Sequence, residues 1–169
     1  MDLLNRIDEH EMFMQIAELI GRRSTCCRKQ VGAIIVNKGK IISTGYNGVP
    51  SGKKHCTKHF YDLYQEKIKN NIIETSFEEY IKTKNFSDEH LYFSMKYELH
   101  AEMNALLFAD KKYLEDSILY CTLSPCINCS KLIISAQIKK IYYRTLYDRD
   151  GEIDAIKILE NNNIEVIKI

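Results

Sequence analysis

The stretch Ser117–Thr145, "SILYCTLSPCINCSKLIISAQIKKIYYRT", decides the fold. "SILYCTL" is a short apolar run that reads as a buried strand. "CINCSKLIISA" reads as a helix and "KKIYYRT" as a second strand. Further on, "GEIDAIKILENN" (Gly151–Asn162) is helical in pattern and "IEVIKI" (Ile164–Ile169) is a last strand. Upstream, "MNALLFA" (Met103–Ala109) reads as a buried helix. "VGAIIV" (Val31–Val36) and "KIISTGY" (Lys40–Tyr46) form a hairpin closed by Asn37-Lys38-Gly39. From Glu11 to about Gly21, Phe13, Ile16, Ala17 and Ile20 fall on one helical face. Strands alternating with helices after an opening hairpin predict an α/β sandwich with a mixed five-stranded sheet.

Between the hairpin and the Met103 helix lies an insert, about residues 53–99, which is the least regular part of the chain. Phe60, Leu63, Tyr64 and Ile68 suggest a short helix, and Thr75-Ser76-Phe77-Glu78 a second one opened by a capping box. At 169 residues the chain, 1–169, suits a single domain with a real core. Its 24 basic and 23 acidic residues give a net charge of +1, which offers no stripe for polymeric nucleic acid. "GKKHC" and "IKK" read as solvated surface. The N-terminal "MDLLNRIDEHEMFMQIAELIG" has neither the apolar centre of a signal peptide nor a membrane-length span. A cytoplasmic location is expected, where six cysteines serve as metal ligands, catalytic groups or buried thiols rather than disulfides.

Two pieces carry chemistry: His100-Ala101-Glu102 and Pro125-Cys126-Ile127-Asn128-Cys129. A CxxC alone is weak, since it can be redox-active, structural or accidental. Here each piece opens a predicted helix, where free N–H groups and the positive end of the dipole stabilise thiolates. One imidazole and two thiolates give zinc three ligands and leave one tetrahedral position for a water of lowered pKa. Residues two apart on a helix point to different sides, so His100 and Glu102 can serve one site only at the helix end. Glu102 then stands free of metal, as acid and base. Order and spacing match the H-x-E…P-C-x-x-C pattern of zinc nucleobase deaminases.

With "RRSTCCRKQVGAIIV", "GKIISTGYNGVPSG", "LHAEMNALLFA" and "CTLSPCINCSKLIISAQIKKIYY", the chain resembles the deoxycytidylate (dCMP) deaminases of the cytidine deaminase superfamily. "GYNGVPSG" is the most discriminating piece. The resemblance implies a three-layer α/β/α cytidine-deaminase-like fold and conversion of dCMP and water to dUMP and ammonia, feeding thymidylate synthesis. It puts the catalytic zinc on His100, Cys126 and Cys129, with Glu102 as proton shuttle. It also puts Asn47 at the deoxyribose, the Ala101 N–H at the cytosine carbonyl, and carbonyls near Ser124 at the exocyclic amine. Ser24 and Tyr147 are candidates for the phosphate end, Tyr147 equally readable as a plain loop tyrosine. A homohexamer activated by dCTP with Mg²⁺ and inhibited by dTTP is also implied. Gly48 and Gly52 would line the regulatory pocket, and Phe108 and Lys111, one turn apart on the helix after His-Ala-Glu, would contribute subunit or regulatory contacts. Alternative substrates are a nucleoside, dCTP or a tRNA base. A reading of another class is a nucleotide-sensing or DNA-uptake accessory protein.

Phage-type members of that family carry a second, structural zinc, whose ligand positions fall here on Cys26, Cys56, His90 and Glu98. The residue types suit a closed four-ligand site, and such a site supplies folding energy to an insert of modest hydrophobicity. His55 or His59 in place of His90, and Cys27 in place of Cys26, remain open at this level. Cys121 reads as a small core residue and His10 as surface.

Overall fold

The computed structural model describes residues 6–147 and 152–169. Its centre is a five-stranded sheet in the order β2-β1-β3-β4-β5. The strands are β1 (Gly32–Asn37), β2 (Lys40–Tyr46), β3 (Ile118–Leu123), β4 (Lys140–Thr145) and β5 (Glu165–Lys168). The helices are α1 (Glu9–Gly21), α2 (Cys56–Lys69), α3 (Phe77–Tyr80), α4 (Lys84–Tyr97), α5 (Ala101–Phe108), α6 (Ile127–Ser135) and α7 (Glu152–Asn161), with a 3-10 turn at Lys111–Tyr113. The five residues at the N-terminus and Gly151, where the last helix was expected to begin, lie outside the described residues.

The sheet is mixed for a reason legible in its connections. The β1–β2 link is a two-residue turn in which Lys38 (φ 48°) and Gly39 (φ 73°) both take positive φ, as a type I′ hairpin requires. It makes β1 and β2 antiparallel, with Asn37 opposite Lys40. β1 is also antiparallel to β3, whereas α6 and α7 cross over and make β3, β4 and β5 parallel.

Alternation along β1 divides the core between the two faces. Ile34 and Val36 pack with Phe13, Met14 and Ala17 of α1, while Ala33 and Ile35 pack with Ala101, Ala105, Cys129 and Ile133 on the other side. Three layers result: α1, the sheet, and α5 with α6 and α7. Asp8 caps α1 by accepting from the His10 and Glu11 N–H groups. β2 can lie close to α5 because residue 45 is glycine, where a Cβ would run into the Ala101 carbonyl and the Ala105 amide.

Five expectations need correction. The insert is not irregular: α2, α3 and α4 enclose a core of Phe60, Tyr80, Phe86 and Phe93 with Cys26 and Cys56. The capping box joins Ser76 to Glu79, one residue later than Thr75 to Glu78. α5 is buried only on its inner face, since Leu107 and Phe108 are 66% and 79% exposed, and it ends at Phe108. Lys111 therefore sits in the 3-10 turn rather than one turn along the same helix. Finally, His10 is half-buried, stacked 4.3 Å from Tyr142 and hydrogen-bonded through Nδ1 to the Tyr120 hydroxyl at 2.8 Å. Cys121 is a fully buried core residue, as expected.

Candidate active site

Two helix starts converge at one end of the sheet. His100 is the N-cap of α5 and Cys126 the N-cap of α6, with extended backbone at both, and Cys129 lies in the first turn of α6. The residue before His100 is fixed too. Leu99 and Gly48 exchange backbone hydrogen bonds of 2.9 and 3.1 Å, pinning the end of the insert to the loop after β2.

The His100 Nδ1 lies 3.4 Å from Cys126 Sγ and 3.3 Å from Cys129 Sγ. Ligands at zinc bond lengths on a tetrahedron are separated by roughly 3.3–3.8 Å, so this trio fits the metal in donor type and spacing. Cys126 is pulled down to about 3 by its hydrogen bond with Cys129, and His100 contributes in the same direction. The Cys129 thiol is pushed up by its hydrogen bond with Cys126 and by burial. Hydrogen bonding to Cys126 raises His100.

Glu102 follows in the first turn of α5 and is 4% exposed. Burial holds its carboxyl above the usual carboxylate range. It opens, with His100 and Cys126, onto a cavity of about 450 Å³. A buried carboxyl of raised proton affinity beside a metal-type trio, facing a cavity of ligand size, suits proton transfer to a bound molecule.

A second donor set lies alongside, with Cys26, His90 and Glu98 on the wall of the same cavity and Cys56 behind it. One ligand atom each from Cys26, Cys56, His90 and Glu98 lie within 4.8 Å of one another. Cys26 Sγ is 3.1 Å from His90 Nε2. Glu98 Oε1 is buried without a hydrogen-bond partner, an arrangement that a cation would relieve. The alternatives separate clearly. His55 is exposed at the N-cap of α2, His59 stacks on Phe93 at 4.6 Å, and Cys27 touches Cys56 but lies outside the group.

The other expected residues divide. Asn47, Ala101, Ser124 and Tyr147 line the cavity, and Ser24 does not. Asn47 Oδ1 accepts from the Val31 N–H at 2.8 Å, and Nδ2 donates to the Lys29 carbonyl at 2.9 Å. Its first role is therefore to hold the segment entering β1. Ser24 Oγ donates to the Asn47 carbonyl at 2.9 Å, and Ser124 Oγ accepts from the Tyr147 N–H at 2.9 Å. Gly48 packs where a side chain would meet Thr25 Oγ1, and Gly52 has φ +81° with open space around it. Neither Gly48, Gly52, Phe108 nor Lys111 lines the cavity.

Sequence reasoning passed over Arg28 and Lys29, both cavity-lining and exposed, with Lys29 Nζ 4.8 Å from the centre of the Tyr147 ring. The available signal was two adjacent cations just before a strand that leads away from the site. Asn128, between the two CxxC cysteines, also lines the cavity.

A His-x-Glu on one helix start, a Cys pair on the next, and a three-layer sheet behind them are the arrangement of the zinc-type nucleobase deaminases. The family profile described as the cytidine and deoxycytidylate deaminase zinc-binding region matches residues 7–145, and the chain belongs to that family. It is 39% identical to the deoxycytidylate deaminase of Enterobacteria phage T2 over 92% of this chain and 89% of the relative. It is 32% identical to the ComE operon protein 2 of Bacillus subtilis over 85% and 63%. Crystal structures of the cyanophage S-TIM5 dCMP deaminase are also similar, at 32% identity over 98% of this chain and 100% of that one. Their TM-scores are 0.67 in the apo form and 0.66 in complex with dCMP and dUMP.

Proposed function

We propose that the chain, acting as one domain over residues 1–169, hydrolyses dCMP to dUMP and ammonia and so supplies dUMP for thymidylate synthesis. The observation that carries this reading is the buried Glu102 facing the cavity beside His100, Cys126 and Cys129. The phage T2 relative and the S-TIM5 complex with dCMP and dUMP support the choice of substrate.

Zinc held by His100, Cys126 and Cys129 would supply a polarised water at neutral pH. Glu102 takes a proton, delivers it to the cytosine ring nitrogen, and assists the departing amine. Burial raises its proton affinity, which suits a group that accepts and passes on a proton. The Ala101 N–H meets the cytosine carbonyl, and carbonyls near Ser124 accept from the exocyclic amine. Asn47 keeps one Nδ2 hydrogen for the deoxyribose after its bond to the Lys29 carbonyl. Arg28, Lys29 and Tyr147 face the phosphate, and Ser24 acts behind them by holding the Asn47 backbone.

A second zinc on Cys26, Cys56, His90 and Glu98 orders the insert, supported by the orphaned Glu98 Oε1. Regulation belongs to the same reading: dCTP with Mg²⁺ activates and dTTP inhibits, through the loop of Gly48 and Gly52 together with Phe108 and Lys111. The exposed Leu107 and Phe108 support assembly into a homohexamer. Free cysteines throughout are consistent with a cytoplasmic setting. Among the described residues no helix is long and apolar enough to cross a membrane.

Ammonia release measured in parallel on dCMP, cytidine, deoxycytidine and dCTP tests the substrate. Turnover of dCMP should exceed the others, and indifference to the 5′-phosphate would sink the reading. The second reading is an accessory or nucleotide-sensing protein. A buried acid-base carboxyl, which a binding module does not require, argues for the enzyme.

A further inference from the structure

Three thiols crowd the second donor set, and two of them belong to it. Cys26 and Cys56 are buried and grouped with His90 and Glu98, whereas Cys27 is partly exposed and outside the group. Cys27 Sγ nevertheless lies 3.6 Å from Cys56 Sγ. The contact is built into the backbone. Thr57 donates to the Thr25 carbonyl through its N–H at 3.1 Å and through Oγ1 at 2.9 Å, tying the Cys26–Cys27 segment to the start of α2. Of the remaining cysteines, Cys121 is fully buried, and Cys126 and Cys129 belong to the catalytic trio. Cys27 is thus the one partly exposed thiol among the described residues that no donor set uses.

We propose that Cys27 and Cys56 are a peroxide-sensitive thiol pair whose oxidation to a disulfide releases the metal held with Cys26, His90 and Glu98. The inference rests on the second-zinc reading. A peroxide, hydrogen peroxide or an organic hydroperoxide, is the oxidant. Its O–O bond breaks at the Cys27 sulfur, which becomes a sulfenic acid, and the other half leaves as water or alcohol. The Cys56 sulfur then attacks the Cys27 sulfur. The S–S bond forms, the S–O bond breaks, and hydroxide leaves as water after taking a proton. The two sulfurs lose two electrons in total and the peroxide gains them. The sulfurs must close from 3.6 Å to a disulfide bond length of about 2.05 Å. Cys56 is thereby withdrawn from the donor set.

The consequence reaches the active site. Glu98, freed from its ion, precedes Leu99, whose bridge to Gly48 leads into His100. Loss of the ion frees the Glu98 side chain two residues before His100, while the new disulfide keeps Cys56, the first residue of α2, tied to the Cys26–Cys27 segment.

The test treats reduced, zinc-loaded protein with hydrogen peroxide while a chromogenic chelator reports free zinc. Non-reducing peptide mapping then locates the cross-link. About one zinc per chain should be released together with a Cys27–Cys56 disulfide, and thiol reductant with added zinc should restore two. Cys27→Ser and Cys27→Ala should start with the same zinc content and release it at least about tenfold more slowly. Equal release from these variants, or a map lacking the Cys27–Cys56 peptide, overturns the proposal. Untreated protein holding one zinc per chain would instead refute the second-zinc reading and the release step with it, while the peptide map still decides the thiol pair.

Discussion

Glu98 and Glu102 are four residues apart and their carboxyls stand in different surroundings. Glu98 Oε1 is stranded without a hydrogen-bond partner among metal-type donors. Glu102, at 4% exposure, faces the cavity, and burial raises its proton affinity. A ligand carboxylate must stay ionised, whereas a proton shuttle must spend part of its cycle neutral. Glu102→Gln keeps the shape and removes the proton exchange. Zinc content should be unchanged and dCMP turnover should fall about a thousandfold, measured by metal analysis and ammonia release on the same preparation. Activity within a few fold of the parent would show that the proton moves elsewhere. Both glutamates were legible in "ELHAE" as candidate site residues, because imidazole, carboxylate and helix start narrow the chemistry sharply, and the structure puts Glu98 in a second donor group and Glu102 on the cavity wall. Asn47 was not so legible. Its commitment to Val31 and Lys29 depends on how the loop folds back, which no local pattern announces.

Elements followed the sequence where apolar residues set a clear period. The five strands and the helices α1, α6 and α7 stand within a few residues of expectation for that reason. α4 escaped because its buried stripe is Phe86, His90 and Phe93. An imidazole at the central position breaks the hydropathy pattern while keeping the i, i+4, i+7 spacing. That same imidazole is the metal-type donor, so the feature that hid the helix is the one that gives it a task. Removing a donor tests this link. The parent chain should hold two zinc ions and Cys56→Ala one, by metal analysis after gel filtration, with a lower melting temperature as the insert loses its tie. Contact between β2 and α5 gives a second element-level expectation. Gly45→Ala drives a methyl into the Ala101 carbonyl and the Ala105 amide, both backbone. A loss on the order of 2 kcal/mol in denaturant unfolding is expected. A parent-like midpoint would mean that α5 is free to shift.

At the level of the whole molecule, the surface tells more than the core. α5 buries Ala101, Glu102 and Ala105, yet leaves Leu107 and Phe108 exposed at 66% and 79%. A helix that carries the active site on one side and bare apolar groups on another is suited to packing against a second copy. Phe108→Glu should therefore shift the protein to a smaller species by light scattering coupled to gel filtration, and an unchanged mass would place the subunit contact elsewhere. The sequence resemblance supplied the expectation of assembly, but hydropathy alone read "MNALLFA" as wholly buried, because a core face and an interface face have the same composition. Gly48 and Leu99, the residues that bracket the insert, are hydrogen-bonded to each other in both directions. The chain leaves β2 and enters α5 at one point, so the segment between is an excursion closed at its base. Such an excursion can be lengthened, shortened or exchanged over evolutionary time while the sheet and His100 keep their places. Related chains are free to differ most in the segment that here carries Cys56, His90 and Glu98.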